Sequence, residues 1–487
     1  MDLKINLLQL KERGVVAEMK QDIVHISGLA NCMNGQLVQI SDAAEGVIVG
    51  FDQEYALVLL VEQHGTVKPG DQATSLIKSF SIPVGDGFIG RRVDALAAPL
   101  DGRGPINATR QYPIFGKAPS VLERRQLTEV LPMGVKILDM MIPIGKGQRE
   151  LIIGDRMTGK TTVATDAILM QKHTGTICVY CCIGKAEASL GKVIELFDTN
   201  DVWKYGIIVA ATASDSMGKQ YLAPYVATSI GEYFMYEKGM DVLVVFDDLT
   251  KHAWTYRQMS LLLERSPGRD AYPGDIFYLH SQLVERAGRL SITRGGGSMT
   301  HLPIIETLQG DVTGYIPSNT ISMTDGQVYM NTTLFGEGFK PAIDVKLSVS
   351  RIGSKVQWRA MKTLAGMMRL EYLNFLQLLK LTRVKAGVSA EVEGRLRRGK
   401  VVAELLKQPN NAPVPMEEQV VTLYAFREGF FDDVQPENVQ ARLETLLSSM
   451  RRGRPELMAE LVRQKDLTEE IKEGLKHEFA RLRNSAV

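Results

Sequence analysis

Between Gly14 and Ile77, apolar and polar residues alternate in short stretches such as Val15-Val16-Ala17-Glu18-Met19 and Ile23-Val24-His25-Ile26. Turn signals at Ser27-Gly28, Asn34-Gly35 and Pro69-Gly70-Asp71 separate these stretches. Alternation interrupted every few residues predicts short strands, and hence a small β-barrel or sandwich. Beyond residue 80 the pattern changes. Continuous apolar runs at residues 151–153, 177–183, 206–211 and 242–246 alternate with amphipathic helical stretches up to about residue 355. Strands that are apolar on both faces belong in a buried parallel sheet. After Arg351 strand signals fade and helical patterns take over, for example at residues 361–381 and 434–450. The chain is thus expected to be multidomain, with an N-terminal β-barrel over residues 1–78, a central α/β domain with a parallel sheet over 79–355 and a C-terminal α-helical domain over 356–487. The Gly- and Pro-rich stretch from Pro99 to Pro105 reads as an ordered loop inside the central domain.

Length agrees with this division, because 487 residues exceed what one hydrophobic core supports. Charge narrows the partners. With 57 basic and 56 acidic side chains the net charge is +1, so bulk electrostatics favour neither nucleic acid nor anionic lipid. No apolar run approaches a membrane span, and Met1-Asp2-Leu3-Lys4-Ile5-Asn6 lacks the form of a signal peptide, so a cytosolic protein is expected. The four cysteines, Cys32, Cys178, Cys181 and Cys182, are too few for a disulfide framework. Cys178 and Cys181 form a C-x-x-C pair, but no second ligand pair follows, and their strand-like surroundings favour core thiols over zinc.

The sharpest chemical signal is Gly154-Asp155-Arg156-Met157-Thr158-Gly159-Lys160-Thr161, which follows the apolar run at 151–153 and precedes a helical pattern. Backbone N–H groups that curl around phosphate oxygens need glycine at the tight points and a helix N-terminus behind them. The central domain is therefore expected to be a P-loop nucleotide-binding domain. Lys160 would reach the outer phosphates of ATP or ADP, and the Thr161 hydroxyl would join the shell of a Mg²⁺ ion. A carboxylate at the end of a neighbouring strand is also required, and Val242-Leu243-Val244-Val245-Phe246-Asp247-Asp248 supplies it. Asp247 is the expected metal partner. For Asp248 a helix cap is the rival reading.

The phosphate loop, together with Asp247-Asp248-Leu249-Thr250-Lys251, resembles the α subunit of F-type ATP synthases. The block Tyr256-Arg257-Gln258-Met259-Ser260-Leu261-Leu262-Leu263, the loop Pro267-Gly268-Arg269-Asp270-Ala271-Tyr272-Pro273-Gly274-Asp275, and Leu302-Pro303-Ile304-Ile305-Glu306-Thr307 carry the same likeness. The likeness extends from about Gly14 nearly to the C-terminus. It implies a ring of alternating α and β subunits around a central γ shaft, with a δ-type stator. That ring lies at the cytoplasmic face of the cell membrane and couples ATP synthesis or hydrolysis to proton or sodium transport. It also implies that the β subunit performs fast catalysis, while this protein binds Mg-ATP in a largely regulatory site. An autonomous ring ATPase, such as an export motor or helicase, is the alternative reading.

Further site residues follow from the resemblance. Leu347-Ser348-Val349-Ser350-Arg351-Ile352-Gly353 matches the motif whose arginine enters a neighbouring β site, which makes Arg351 the expected finger and Ser348 its positioning partner. For the base of this protein's own nucleotide the resemblance points to Phe335, Lys340, Pro341, Gln408 and Asn410. Phe335 is equally readable as a core aromatic, and Lys340 stands where the family has arginine. The loop 266–275 is expected to face the shaft, with a plain turn as its rival. Other departures concern chemistry more directly. Catalytic β subunits place a glutamate where this sequence has Lys185, an ammonium that cannot orient the attacking water as a base. Glu187 is two residues too far along. Lys185 also replaces the glutamine usual in α subunits and could pair with phosphate, and Met157 replaces a glutamine inside the loop. A short arm before Gly14 and a basic segment from Leu381 to Val388 suggest a divergent, second type of F-ATPase.

Overall fold

The computed structural model describes residues 11–382 and 390–484, so residues 383–388 of the basic segment and most of the short N-terminal arm lie outside it. Two compact units divide the chain. The first takes residues up to 125 with 175–306 and 312–323; the second takes 126–174, 307–311 and 324 onward. Residues 79–355 thus contribute to both.

In the first unit, six antiparallel strands close into a barrel: β1 (Arg13–Lys20), β2 (Ile23–Ser27), β3 (Gln36–Ile40), β4 (Ala44–Phe51), β5 (Ala56–Gln63) and β6 (Gln72–Ser79). Their order is β1-β2-β5-β4-β3-β6, and closure settles the choice between barrel and sandwich. Alternate residues point inward, so Val24, Ile26, Val38, Ile40 and Val58 form the barrel core. Gly46 sits beside a register shift, where a Cβ would lie 2.4 Å from Val58 Cγ1. Only glycine fits there.

The same unit holds a parallel sheet in the order Arg92–Val93, Gly206–Ala211, Ile177–Ile183, Asp241–Asp247 and Ser298–Glu306. Every residue of Ile177–Ile183 and Gly206–Ala211 is buried, which is why these strands read as unbroken apolar runs. Cys178, Cys181 and Cys182 are free thiols within that core, and burial pushes the Cys182 thiol up to about 12. The helix Met217–Glu237 packs on the sheet and is itself buried along most of its length. The loop after Pro99 is ordered by Asp101, whose carboxylate takes a 2.7 Å ion pair from Arg91.

In the second unit, Leu151–Gly154 runs parallel to Gly326–Met330, which pairs antiparallel with Val349–Ser350. Helices make up most of the remainder, chiefly Arg359–Thr382, Ala390–Leu406, Met416–Arg427, Val439–Gly453, Pro455–Gln464 and Glu469–Asn484. Met416–Arg427 is the central one, buried from Val420 through Phe426. The helix expected from residue 434 begins later, at Val439, because Pro436 opens a separate 3₁₀ turn first. Among the described residues no helix is long and apolar enough to cross a membrane.

Two buried charges generate predictions. In the first unit Arg286, 1% exposed, donates to both Glu232 oxygens at 2.7 and 2.6 Å, to Ser229 Oγ and to the Ile114 carbonyl. Arg286→Met strands the Glu232 carboxylate in the core and is expected to cost about 3–5 kcal/mol, measured by urea unfolding. In the second unit, burial pushes the Asp139 carboxyl up to about 7, although it accepts hydrogen bonds from Gln419 Nε2 and Met133 N at 2.8 Å each. The folded protein then keeps a proton that the unfolded state releases near pH 4, so this group weakens stability progressively from about pH 4 to 7 and not below. Asp139→Asn should therefore gain on the parent across that window, on the order of 4 kcal/mol in total. A pH-independent difference in urea midpoints would contradict it.

Candidate nucleotide site

The strand Leu151–Gly154 is fully buried and ends where the backbone must pass close to its neighbour, since a Cβ on Gly154 would lie 2.4 Å from the Met330 carbonyl. The backbone then loops and re-enters a helix, Lys160–Met170, through Gly159 at φ +96°. Among non-glycine residues that backbone is strained. The helix N-cap, Gly159, makes no side-chain cap hydrogen bond, and a helix N-terminus behind a glycine loop is the arrangement that binds anions. Lys160, 7% exposed, lays its ammonium on the carbonyls of Gly154 (2.8 Å) and Asp155 (2.6 Å). Thr158 is buried and donates to the Asp155 carbonyl at 2.8 Å. Thr161 follows in the first helical turn.

Asp155 braces the loop from outside. Its carboxylate accepts from Thr307 Oγ1 (2.6 Å), Gly310 N (2.8 Å) and Thr332 Oγ1 (2.9 Å). Burial works to raise its pKa, yet these hydrogen bonds and the Lys160 charge hold it below the ordinary value. Arg156 and Met157 form the exposed tip of the loop. Met157 is 90% exposed at φ +61°, so the apolar replacement offers the phosphate hollow no donor.

Beside the loop lies a small cavity. The structure brings all five expected base residues, Phe335, Lys340, Pro341, Gln408 and Asn410, to its lining, together with Thr158 and Gly159 of the loop. Phe335 is half-buried and Lys340 Nζ stands 4.8 Å from its ring centroid, a cation–π contact. Gln408 shapes the wall and offers the cavity little. Its amide nitrogen donates to the carbonyls of Gly134 (2.7 Å) and Ala412 (2.8 Å), and its oxygen accepts from Lys136 N (3.0 Å).

In the first unit, the register that sets Cys182 opposite Asp247 brings two neighbouring strand ends to one edge of the sheet. Asp247, 1% exposed, accepts at the same oxygen from Tyr180 OH (2.7 Å) and Lys185 Nζ (2.6 Å). Lys185 is placed by its own carbonyl, which accepts from Ala213 N at 2.9 Å. The lysine therefore pairs with the carboxylate, where a phosphate contact was one expectation. Asp248 caps the helix Leu249–Leu262 by accepting from Lys251 N at 2.8 Å. Burial, then the charges of Asp247 and Glu306, push its carboxyl up to about 7.

Arg351 is exposed, but its backbone is pinned. Its N–H donates to the Asp325 carbonyl at 2.8 Å, and the Asp325 carboxylate is gripped by Arg149 through Nε (3.0 Å) and Nη2 (2.7 Å). Ser348 is buried and accepts from Tyr329 N at 2.9 Å, so its hydroxyl holds the loop backbone and points away from solvent. The segment 266–275 forms a 3₁₀ turn at Arg269–Ala271, with Asp270 and Ala271 at positive φ. Sequence reasoning passed over Thr307, Gly310 and Thr332, the brace of Asp155, because nothing local marks residues 152 to 177 positions away. It also passed over Asp166, which lines the cavity. A carboxylate in the mostly apolar 163–169 stretch was the available signal.

Comparison with known proteins agrees with this geometry. Residues 134–350 match the model of the ATP synthase alpha/beta family nucleotide-binding domain, and residues 357–482 match the C-terminal domain of the ATP synthase alpha/beta family. The ATP synthase subunit alpha of Clostridium acetobutylicum is 44% identical over 96% of this protein and 92% of its own length. That of Clostridium botulinum strain Eklund 17B is 43% identical over 95% and 92% respectively. With a phosphate loop, a braced Asp155 and a cavity beside the loop on one side, and matches of this extent on the other, the protein belongs to the ATP synthase alpha/beta family.

Proposed function

We propose that this protein is the α subunit of an F-type ATP synthase, a largely non-catalytic nucleotide-binding partner that lends Arg351 to the catalytic site of a neighbouring β subunit. In this reading, domains over residues 1–78, 79–355 and 356–487 assemble with β subunits into an alternating α3β3 ring. A γ shaft and a δ-type stator complete the contacts at the cytoplasmic face of the membrane. The complex couples ATP synthesis or hydrolysis to proton or sodium transport. The observation that carries the reading is the ion pair of Lys185 with Asp247. An ammonium held 2.6 Å from that carboxylate leaves no base at the position where hydrolysis needs one.

The loop fits the polyphosphate of ATP or ADP, because a helix N-terminus, Gly159 and Lys160 meet at one loop. Bound Mg²⁺ supplies charge neutralisation to the phosphates. Thr161 and Asp247 are the residues proposed to hold it, and the Lys185 ammonium paired with the Asp247 carboxylate competes with it. Phe335, Lys340, Pro341, Gln408 and Asn410 surround the base. Arg351 suits a finger acting in trans, since its exposed guanidinium extends from a backbone fixed to Asp325, and its planar fork complements charge spread over a transferring phosphoryl group. Ser348 acts on it only through the loop backbone.

The test is the α3β3 ring reconstituted with Arg351→Ala. Steady-state ATP hydrolysis should fall by about 10³-fold or more while ring assembly, followed by size-exclusion chromatography, persists. Near-normal turnover removes the finger role. The purified protein alone should hydrolyse ATP slowly, and fast turnover without β would favour the autonomous ATPase.

A further inference from the structure

A guanidinium that meets a transferring phosphoryl group in another subunit needs a stem of fixed direction, since a misplacement of about 1 Å costs about 10²-fold in rate. The root of Arg351 is held on one side by the Asp325 carbonyl and on the other by the hydroxyl of Ser350. Ser350 Oγ accepts from Gly353 N at 3.2 Å, which closes a turn around Arg351, and donates to the Pro143 carbonyl at 2.7 Å, which ties that turn to the segment before the phosphate loop. A third hydrogen bond reaches the same hydroxyl. Gln148, fully buried, donates from Nε2 to Ser350 Oγ at 3.1 Å and to Glu150 Oε2 at 2.7 Å, while its Oε1 accepts from Gly145 N at 2.7 Å. Both donors and the oxygen of this amide are engaged, so it cannot turn without breaking a buried hydrogen bond.

Glycine makes room for the carboxyl that orients it. A Cβ on Gly326, the residue paired with Ser350 across the strands, would lie 2.6 Å from Glu150 Oε2. Burial pushes the Glu150 carboxyl well above the carboxylate range, so its contribution to Gln148 is an acceptor oxygen more than a charge. None of Gln148, Glu150 and Ser350 lines the cavity beside the phosphate loop. We propose that Gln148 is a positioning residue for the Arg351 finger, acting through Ser350 and held in orientation by Glu150. The inference rests on the finger reading above and adds the residues that aim it. A misaimed guanidinium keeps its charge and leaves ATP binding by the neighbouring subunit untouched. What is lost is a contact made in the transition state.

The experiment is steady-state ATP hydrolysis by the reconstituted α3β3 ring with Gln148→Met, which is close in volume and removes both donors. Its kcat should fall roughly ten- to hundredfold with KM unchanged. Ser350→Ala is a smaller perturbation that should show the same split, and it covers a failure of Gln148→Met to assemble. Glu150→Gln keeps an acceptor for the Gln148 amide and should lose less than Glu150→Leu. The decisive arm is the Arg351→Ala background, where Gln148→Met should have little further effect because no finger is left to misplace. An equal loss in both backgrounds, or parent-like kcat in Gln148→Met or Ser350→Ala, overturns the inference, while a slow Arg351→Ala ring still keeps the finger. Near-normal turnover of Arg351→Ala removes the finger reading and the inference with it.

Discussion

The helix Lys160–Met170 begins on Gly159, which makes no side-chain cap hydrogen bond, and much of the second unit is arranged around that N-terminus. Gly159 turns the backbone into the helix, Lys160 folds back on the loop carbonyls, and Asp155 ties the loop outward to Thr307, Gly310 and Thr332. Three donors on one carboxylate make that brace stiff. The hollow is therefore set before any anion arrives, which spares binding the entropy of ordering a loop.

The same helix extends the consequence along its length. Its N-terminal turn adjoins the loop, and its next two turns bring Thr162, Val163 and Asp166 to the cavity wall. A wall in which Gln408 is consumed by backbone contacts and Lys340 covers Phe335 is mostly shape, with few free polar atoms.

Charge is distributed unevenly over the acidic residues of the family motifs. Adjacent residues Asp247 and Asp248 have separate uses: the first is held by Tyr180 and Lys185, the second closes a helix N-terminus. Lysine at position 185 pairs its charge with the buried Asp247 carboxylate, a role that a glutamine could fill only by hydrogen bonding. Arg351 shows the opposite arrangement. Its backbone is locked by Asp325 and Arg149, yet the residue is exposed. A fixed stem and an exposed charge suit contact with another subunit.

Much was legible in the linear pattern. Alternation marked the barrel strands, unbroken apolar runs marked Ile177–Ile183 and Gly206–Ala211, and glycine spacing marked the phosphate loop. These signals are local, because strand period, helix period and glycine's conformational freedom act over a few residues. Helix starts were less secure, as Pro436 and the delayed start at Val439 show. What residue order could not contain was the pairing of groups far apart in the sequence. Asp155 with Thr307 and Thr332, Lys185 with Asp247, and the isolation of one Asp166 oxygen all depend on which strands lie side by side and which groups burial leaves without water. Residue types set the possible chemistry of this protein, and packing set which carboxylate is paired, which is a cap and which still lacks a donor.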